Sequence, residues 1–369
     1  MTAEHKYKRL DSLRGFAALS VGVGHTLMCV TFSRGSAWIS VAGGIFNGDY
    51  AVDLFFVLSG FVLINMVHGF SGAHYAAYLS RRLLRLYPPL WATLIVAYLA
   101  HAFIAAHAPP CGNLSGWICH LITPPDSMLT AAISALPVHC HLDPIAWTVK
   151  IEILASLLYP LVLMIWMRGG AGARIATAAV AVSMTFLLDR GTPHYLFLFV
   201  VGIALNDIRI SRAGYASSAV VVSIVLMAVS GFVRGHSAAA DLIAGASAAL
   251  LIAAVAYRCP SWLAAVLDNR GALKLGEISY FYYLLNPVVL WLIARVGAQP
   301  LSSLLEPPSD ERAFLVASLL AVLTALATAI VAIAANRMIE KPSIALSRLS
   351  ERKILRLSGY ELLPHRALG

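Results

Sequence analysis

The sequence predicts an all-α fold, a polytopic membrane helix bundle of about ten transmembrane helices with both termini cytoplasmic. Three observations predict it. Of 369 residues, 59% are hydrophobic and 12% charged, against about 25% charged in a soluble domain, and the mean hydropathy is +0.78. The apolar residues fall into windows of about 20, the length that crosses a hydrocarbon layer. Of 27 lysines and arginines, all but Arg34, Lys150, Arg190, Arg234, Arg295 and Arg312 fall in alternate connections, the bias of chains that keep cationic loops inside. The net charge of +9 does not indicate nucleic acid, because the basic residues lie between apolar spans and form no continuous stripe.

Taken in order, the spans lie near 14–33, 50–68, 88–107, 146–167, 173–190, 193–208, 216–234, 238–257, 276–296 and 312–335. Lys6, Lys8 and Arg9 precede the first, but no small-x-small cleavage site follows it, so it is read as an uncleaved helix. Pro88–Pro89 open the third, and a tight turn at Gly191–Pro193 joins the fifth and sixth. The bundle occupies residues 1–343, interrupted by a proline-rich external loop at 108–145, and a basic cytoplasmic tail follows at 344–369. Cys111, Cys119 and Cys140 fall in that loop, where an oxidising compartment permits one disulfide; the sequence does not choose the pair. His107, His120, His139 and His141 have no zinc-site spacing, so no metal is expected.

Ionisable residues inside spans are the informative ones, since each costs several kcal/mol (~2.5–3.5 on insertion scales) unless paired or facing a cavity. Arg14 and His25 are eleven residues apart, about 20° from whole turns and about 16 Å along the axis. They share one face, and Ala17, Ala18, Gly22 and Gly24 of the same stretch leave room for another helix or a ligand to approach. The pair reads either as an anchoring arginine with a structural histidine, or as a charged portal ending in a general base. Arg82 and Arg85, three apart, are either membrane anchors or a phosphate clamp. Glu152, five residues deeper than the interfacial Trp147, needs a partner such as His25 or an arginine. Asp53, at the depth of His25, can orient the imidazole. Tyr280, Tyr283 and Asn286, spaced by three, form a polar stripe before Pro287.

In this order, "LDSLRGFAALSVGVGH", "VDLFFVLSGFVL", "RRLLRLYPPLW", "WTVKIEILASLLYP", "SYFYYLLNPV" and "NRMIEKPSI" resemble the acyltransferase-3 family of integral membrane acyltransferases, over nearly the whole chain. The resemblance implies an enzyme of the inner membrane of bacteria that moves an acyl group, most often acetyl, from cytoplasmic acetyl-CoA or another acyl-CoA to a hydroxyl of an envelope polysaccharide or lipid-linked sugar. It implies His25 and Arg14 as the functional pair, with Arg82 and Arg85 as the element that holds the donor. Glu152 and Asp53 join His25 as catalytic residues, and Trp147, Tyr280, Tyr283 and Asn286 as contacts to substrate. Asn286 stands where the family often has histidine, and Ile153 where it often has a second glutamate; asparagine takes no proton at neutral pH. Partners are the donor, the glycan acceptor and membrane lipids, with self-association as a homo-oligomer left open. A small molecule or glycolipid is the alternative acceptor. A transporter or flippase, and an envelope scaffold, are the alternatives of other classes; neither requires the Arg14–His25 face together with Arg82 and Arg85.

Overall fold

The computed structural model describes residues 3–107, 110–123, 136, 145–187, 192–207, 213–232 and 237–360. Among them helix follows helix and no strand occurs. The elements are α1 (Ala3–Leu27), α2 (Ala37–Ile45), α3 (Gly48–Leu63), α4 (Gly72–His107), α5 (Gly116–Cys119), α6 (Ala146–Arg168), α7 (Gly170–Leu187), α8 (Leu196–Ala204), α9 (Ala213–Phe232), α10 (Ala238–Arg258), α11 (Ser261–Leu267), α12 (Arg270–Val296), α13 (Ala298–Leu304), α14 (Asp310–Ala335) and α15 (Lys341–Leu357). Among the described residues, seven stretches are long and apolar enough to cross a membrane: Ala37–Met66, Gly72–Ile104, Ala146–Arg168, Gly170–Leu187, Ala238–Arg258, Arg270–Val296 and Asp310–Leu357. The chain is a polytopic helical membrane protein. α1 is 25 residues long, but Asp11, Arg14 and His25 lower its hydropathy. α8, at nine residues, is shorter than the span expected at 193–208.

α12 is the central helix. Its faces pack against α1, α4 and α14, and Phe281, Tyr282, Leu284 and Leu290 are almost wholly enclosed. The tightest crossing is with α1, where Gly15 and Gly276 bring the two backbones into contact and a Cβ on either would strike the other helix. Gly60 of α3 and Gly202 of α8 make a similar crossing. Small residues allow this approach where lipid gives helices no hydrophobic reason to associate.

α4 begins sixteen residues before the expected start at 88, and carries Pro88 and Pro89 inside it. A proline there removes the donor that would serve the carbonyl four residues earlier. For Pro88 that acceptor is the carbonyl of Leu84, and the Ser343 hydroxyl of α15 donates to it. α15 continues from α14 through a π-helical turn at Asn336–Glu340 and lies along the first half of α4. Ser80 and Ser350 bond at 2.6 Å, and Arg81 donates to Glu351 at 3.0 Å. Residues 344–357 of the expected tail are therefore helix packed on the bundle; 361–369 lie outside the described residues.

Cys111 and Cys119 form a disulfide. Cys140, with His139 and His141, lies outside the described residues. The stapled segment is tied down on several sides. Ser115 donates from its backbone to Cys29 O at 2.9 Å and from its hydroxyl to Met28 O at 2.5 Å. Asn113 reaches Ser302 and Glu306 at 2.9 and 2.8 Å. Ile118 is fully buried.

Candidate active site

α1 carries Arg14 at one level of the bundle and His25 about 16 Å further along its axis. At the Arg14 level three arginines converge. Arg85 lies within electrostatic reach of Arg14, Arg82, Glu340 and Asp11, and Arg14 approaches Asp11 at 3.7 Å. Arg82 is buried; its Nε donates to Ser156 Oγ at 3.0 Å and its Nη2 to Glu152 Oε2 at 3.4 Å. Ser59 donates to the other carboxylate oxygen at 3.1 Å. Glu152 thus pairs with an arginine, one of the two kinds of partner the sequence allows, and its carboxylate accepts from Ser59 of α3 and Arg82 of α4, not from His25. Arg81, adjacent in sequence, points away to Glu351, which His68 also approaches at 3.5 Å.

Arg14, Glu152, Tyr280 and Tyr283 line a pocket of about 30 Å³ together with Val52, Phe55, Phe56, Thr148, Val149 and Ser279, room for a water or two. Tyr280 donates to Leu86 O at 3.0 Å, and Tyr283 to Thr148 Oγ1 at 3.1 Å.

His25 lines a much larger cavity, about 710 Å³. Asp49, Asp53, Trp117, Trp147 and Asp241 contribute to its wall. The imidazole sits 5.6 Å from the Trp117 ring, centroid to centroid, and its Nδ1 is buried without a hydrogen bond. Asn286 packs against Gly22, one turn before His25, and its amide approaches the imidazole without a well-formed bond to Nδ1. Asp53 is buried and faces the same cavity. Trp147 is held by Phe56 and Tyr195. Val52 and Tyr283 line both spaces, so the arginine-lined pocket and the histidine cavity meet at these two side chains. Among the described residues, no group of three or more His, Cys, Asp or Glu is placed to hold a metal.

Residues 7–336 match the sequence model of the acyltransferase domain family, acyltransferase-3. The chain belongs to that family. It is a membrane acyltransferase. No curated protein matches it, and no solved structure does.

Within this acyltransferase, sequence reasoning missed Trp117, which comes from the stapled segment, and Ser156, which fixes Arg82. It also missed a buried pair, His194 and Asp241, whose Nε2 and Oδ2 stand 2.5 Å apart beside the histidine cavity. Ser156 had a visible signal, one turn after Glu152 on the same helix face. Trp117 and His194 had none, because only the packing of distant segments brings them to the site. A lateral groove of about 440 Å³, walled by α6, α7 and α8 and almost wholly apolar, lies apart from this polar track.

Proposed function

We propose that this acyltransferase moves an acyl group, acetyl in the first instance, from cytoplasmic acyl-CoA to a hydroxyl of an envelope or exported glycan, with His25 as general base. The bundle then sits in the inner membrane of a bacterium with Arg14, Arg82 and Arg85 toward the cytoplasm. Guanidinium forks match phosphate oxygens, so these three arginines grip the phosphates of CoA. Its thin pantetheine arm passes along α1, and the thioester arrives at His25. The neutral imidazole takes the proton of the acceptor hydroxyl. The oxygen attacks the thioester carbonyl, the C–S bond breaks, and the imidazolium returns the proton to the departing thiolate. Asp53 holds the imidazolium from the cavity wall. Glu152 acts one step back, setting the position of Arg82. Trp147, Tyr283 and Asn286 contact the acceptor and the arm, and Tyr280 borders the arm's entry.

The observation that supports this reading is the meeting of the two spaces at Val52 and Tyr283. It gives a ligand anchored at the arginines a line of approach to the imidazole. The decisive test has two parts. Acetyl transfer into envelope glycans is followed by mass spectrometry in cells with the wild-type gene, without it, and with His25→Ala. The reading expects an acetyl-sized mass on the glycan in the first case only, with His25→Ala protein still folded in membranes. Turnover retained by His25→Ala overturns the assignment.

A further inference from the structure

We propose that Lys274 and Lys341 form a binding site for the ribose 3′-phosphate of the donor, on the exposed surface beside the turn of α1 that carries Arg14. The inference rests on the reading that the donor is an acyl-CoA.

The two ammonium groups are brought together by one carboxylate. Lys274 Nζ lies 2.8 Å from Glu277 Oε2, and Lys341 Nζ lies 2.6 Å from Glu277 Oε1. Each ammonium has three donors, and Glu277 occupies one of each. The remaining donors are open to solvent, since the two lysine side chains are 37% and 55% exposed. Glu277 therefore acts as a spacer that keeps two cations within reach of a single phosphate group.

Their position relative to the arginines is fixed by backbone contacts. Gly276 touches the backbone of Asp11 and Ser12 on α1, which places Glu277 beside the turn that carries Arg14. Asn336 donates to Glu277 O at 3.1 Å and to Glu340 Oε2 at 2.9 Å, and Glu340 interacts with Arg85 and Arg14. A chain of contacting polar groups, with Glu340 and Asn336 buried between them, thus links the arginines to the exposed lysines. CoA has the same order of parts: a thioester, a narrow arm, a pyrophosphate, and a 3′-phosphate on the far ribose. With the thioester at His25 and the pyrophosphate at Arg14 and Arg85, the last phosphate falls beyond the arginines, on the solvent side. A phosphate monoester carries about −1.5 to −2 charge at neutral pH; with Glu277 counted, the lysine pair offers it a net charge of +1, which one ammonium beside the same carboxylate would not.

The test measures binding of CoA and of 3′-dephospho-CoA to the purified full chain in lipid nanodiscs by calorimetry. The variants are Lys274→Ala, Lys341→Ala and the pair together, each checked for an unchanged melting temperature. Wild-type protein should bind CoA roughly tenfold more tightly than 3′-dephospho-CoA, the size of one charge-assisted contact. The double variant should bind both ligands equally, at the wild-type affinity for 3′-dephospho-CoA. Arg14→Ala should weaken both ligands by the same factor and keep their ratio. A double variant that keeps the wild-type ratio overturns the inference, as does wild-type protein that binds the two equally; in both cases the acyl-CoA reading stands. Wild-type protein that binds neither overturns the acyl-CoA reading, and the lysine site with it.

Discussion

The Ser343 hydroxyl donates to the carbonyl of Leu84, the acceptor that Pro88 strips of its helical donor. Ser343→Ala leaves that carbonyl unpaired in a buried seam, a loss of about 1–3 kcal/mol. A double-mutant cycle isolates the effect. Pro88→Ala restores a backbone N–H, so Ser343→Ala should lower the melting temperature in the wild-type background and change it little alongside Pro88→Ala.

Arg82 and Glu152 are an enclosed ion pair between α4 and α6. Removing one partner strands the other charge, at a cost of about 3–5 kcal/mol, whereas replacing both with apolar residues of similar size is often tolerated. Glu152→Ala should therefore destabilise the protein sharply. Arg82→Met with Glu152→Leu should recover the melting temperature but not acetyl transfer. Recovered transfer in that double variant would reduce the pair to scaffolding.

Tyr283 stands where the two spaces join. Tyr283→Phe removes the hydroxyl that bonds Thr148 and keeps the ring, and should leave most activity. Tyr283→Trp adds bulk at the junction and should cut transfer on the order of a hundredfold, the scale of a small displacement of reacting groups. Affinity for CoA, measured separately, should fall far less. Equal loss of both would place the phosphates nearer the junction than proposed.

Arg9 holds Asp268 through two bonds, Nε to Oδ1 at 2.9 Å and Nη2 to Oδ2 at 2.7 Å. The guanidinium keeps the Asp268 carboxyl below the ordinary carboxylate range. A depressed carboxylate adds stability above its unfolded value, about 3.9, and that stability disappears as the pH falls through the lower folded value. Melting temperatures of wild-type and Asp268→Asn protein should differ at pH 7 and converge below about pH 4. The contact is partly exposed, so the difference should be small and should shrink in high salt.

What the sequence could express depended on how local each feature is. The shared face of Arg14 and His25 follows from helical spacing and needs no structure. So does the register of Arg82 and Arg85. The beginning of α4 was not legible, because two prolines read as a helix start when the group that satisfies the freed carbonyl lies more than 250 residues away, on Ser343. Glu152 had two candidate partners in sequence, and only the crossing of α4 and α6 selects Arg82. The pairing of Cys111 with Cys119 likewise belongs to the folding of one segment around Ile118, which no count of cysteines reveals. α8 is shorter than the span its apolar composition suggests, because the chain is a 3-10 turn up to Tyr195 and the helix ends at Ala204, and hydropathy does not register where a helix begins or unwinds.

The contact between Gly15 and Gly276 has a mechanical consequence. Two helices whose main chains touch have no intervening side chains to slide over one another, so α1 and α12 behave as a single rigid post. Arg14, His25, Tyr280, Tyr283 and Asn286 all ride on that post. With acyl-CoA as the proposed donor, admission of the nucleotide and departure of the emptied carrier then come from elements swinging around it, while the spacing of the chemical groups along it stays constant through every cycle.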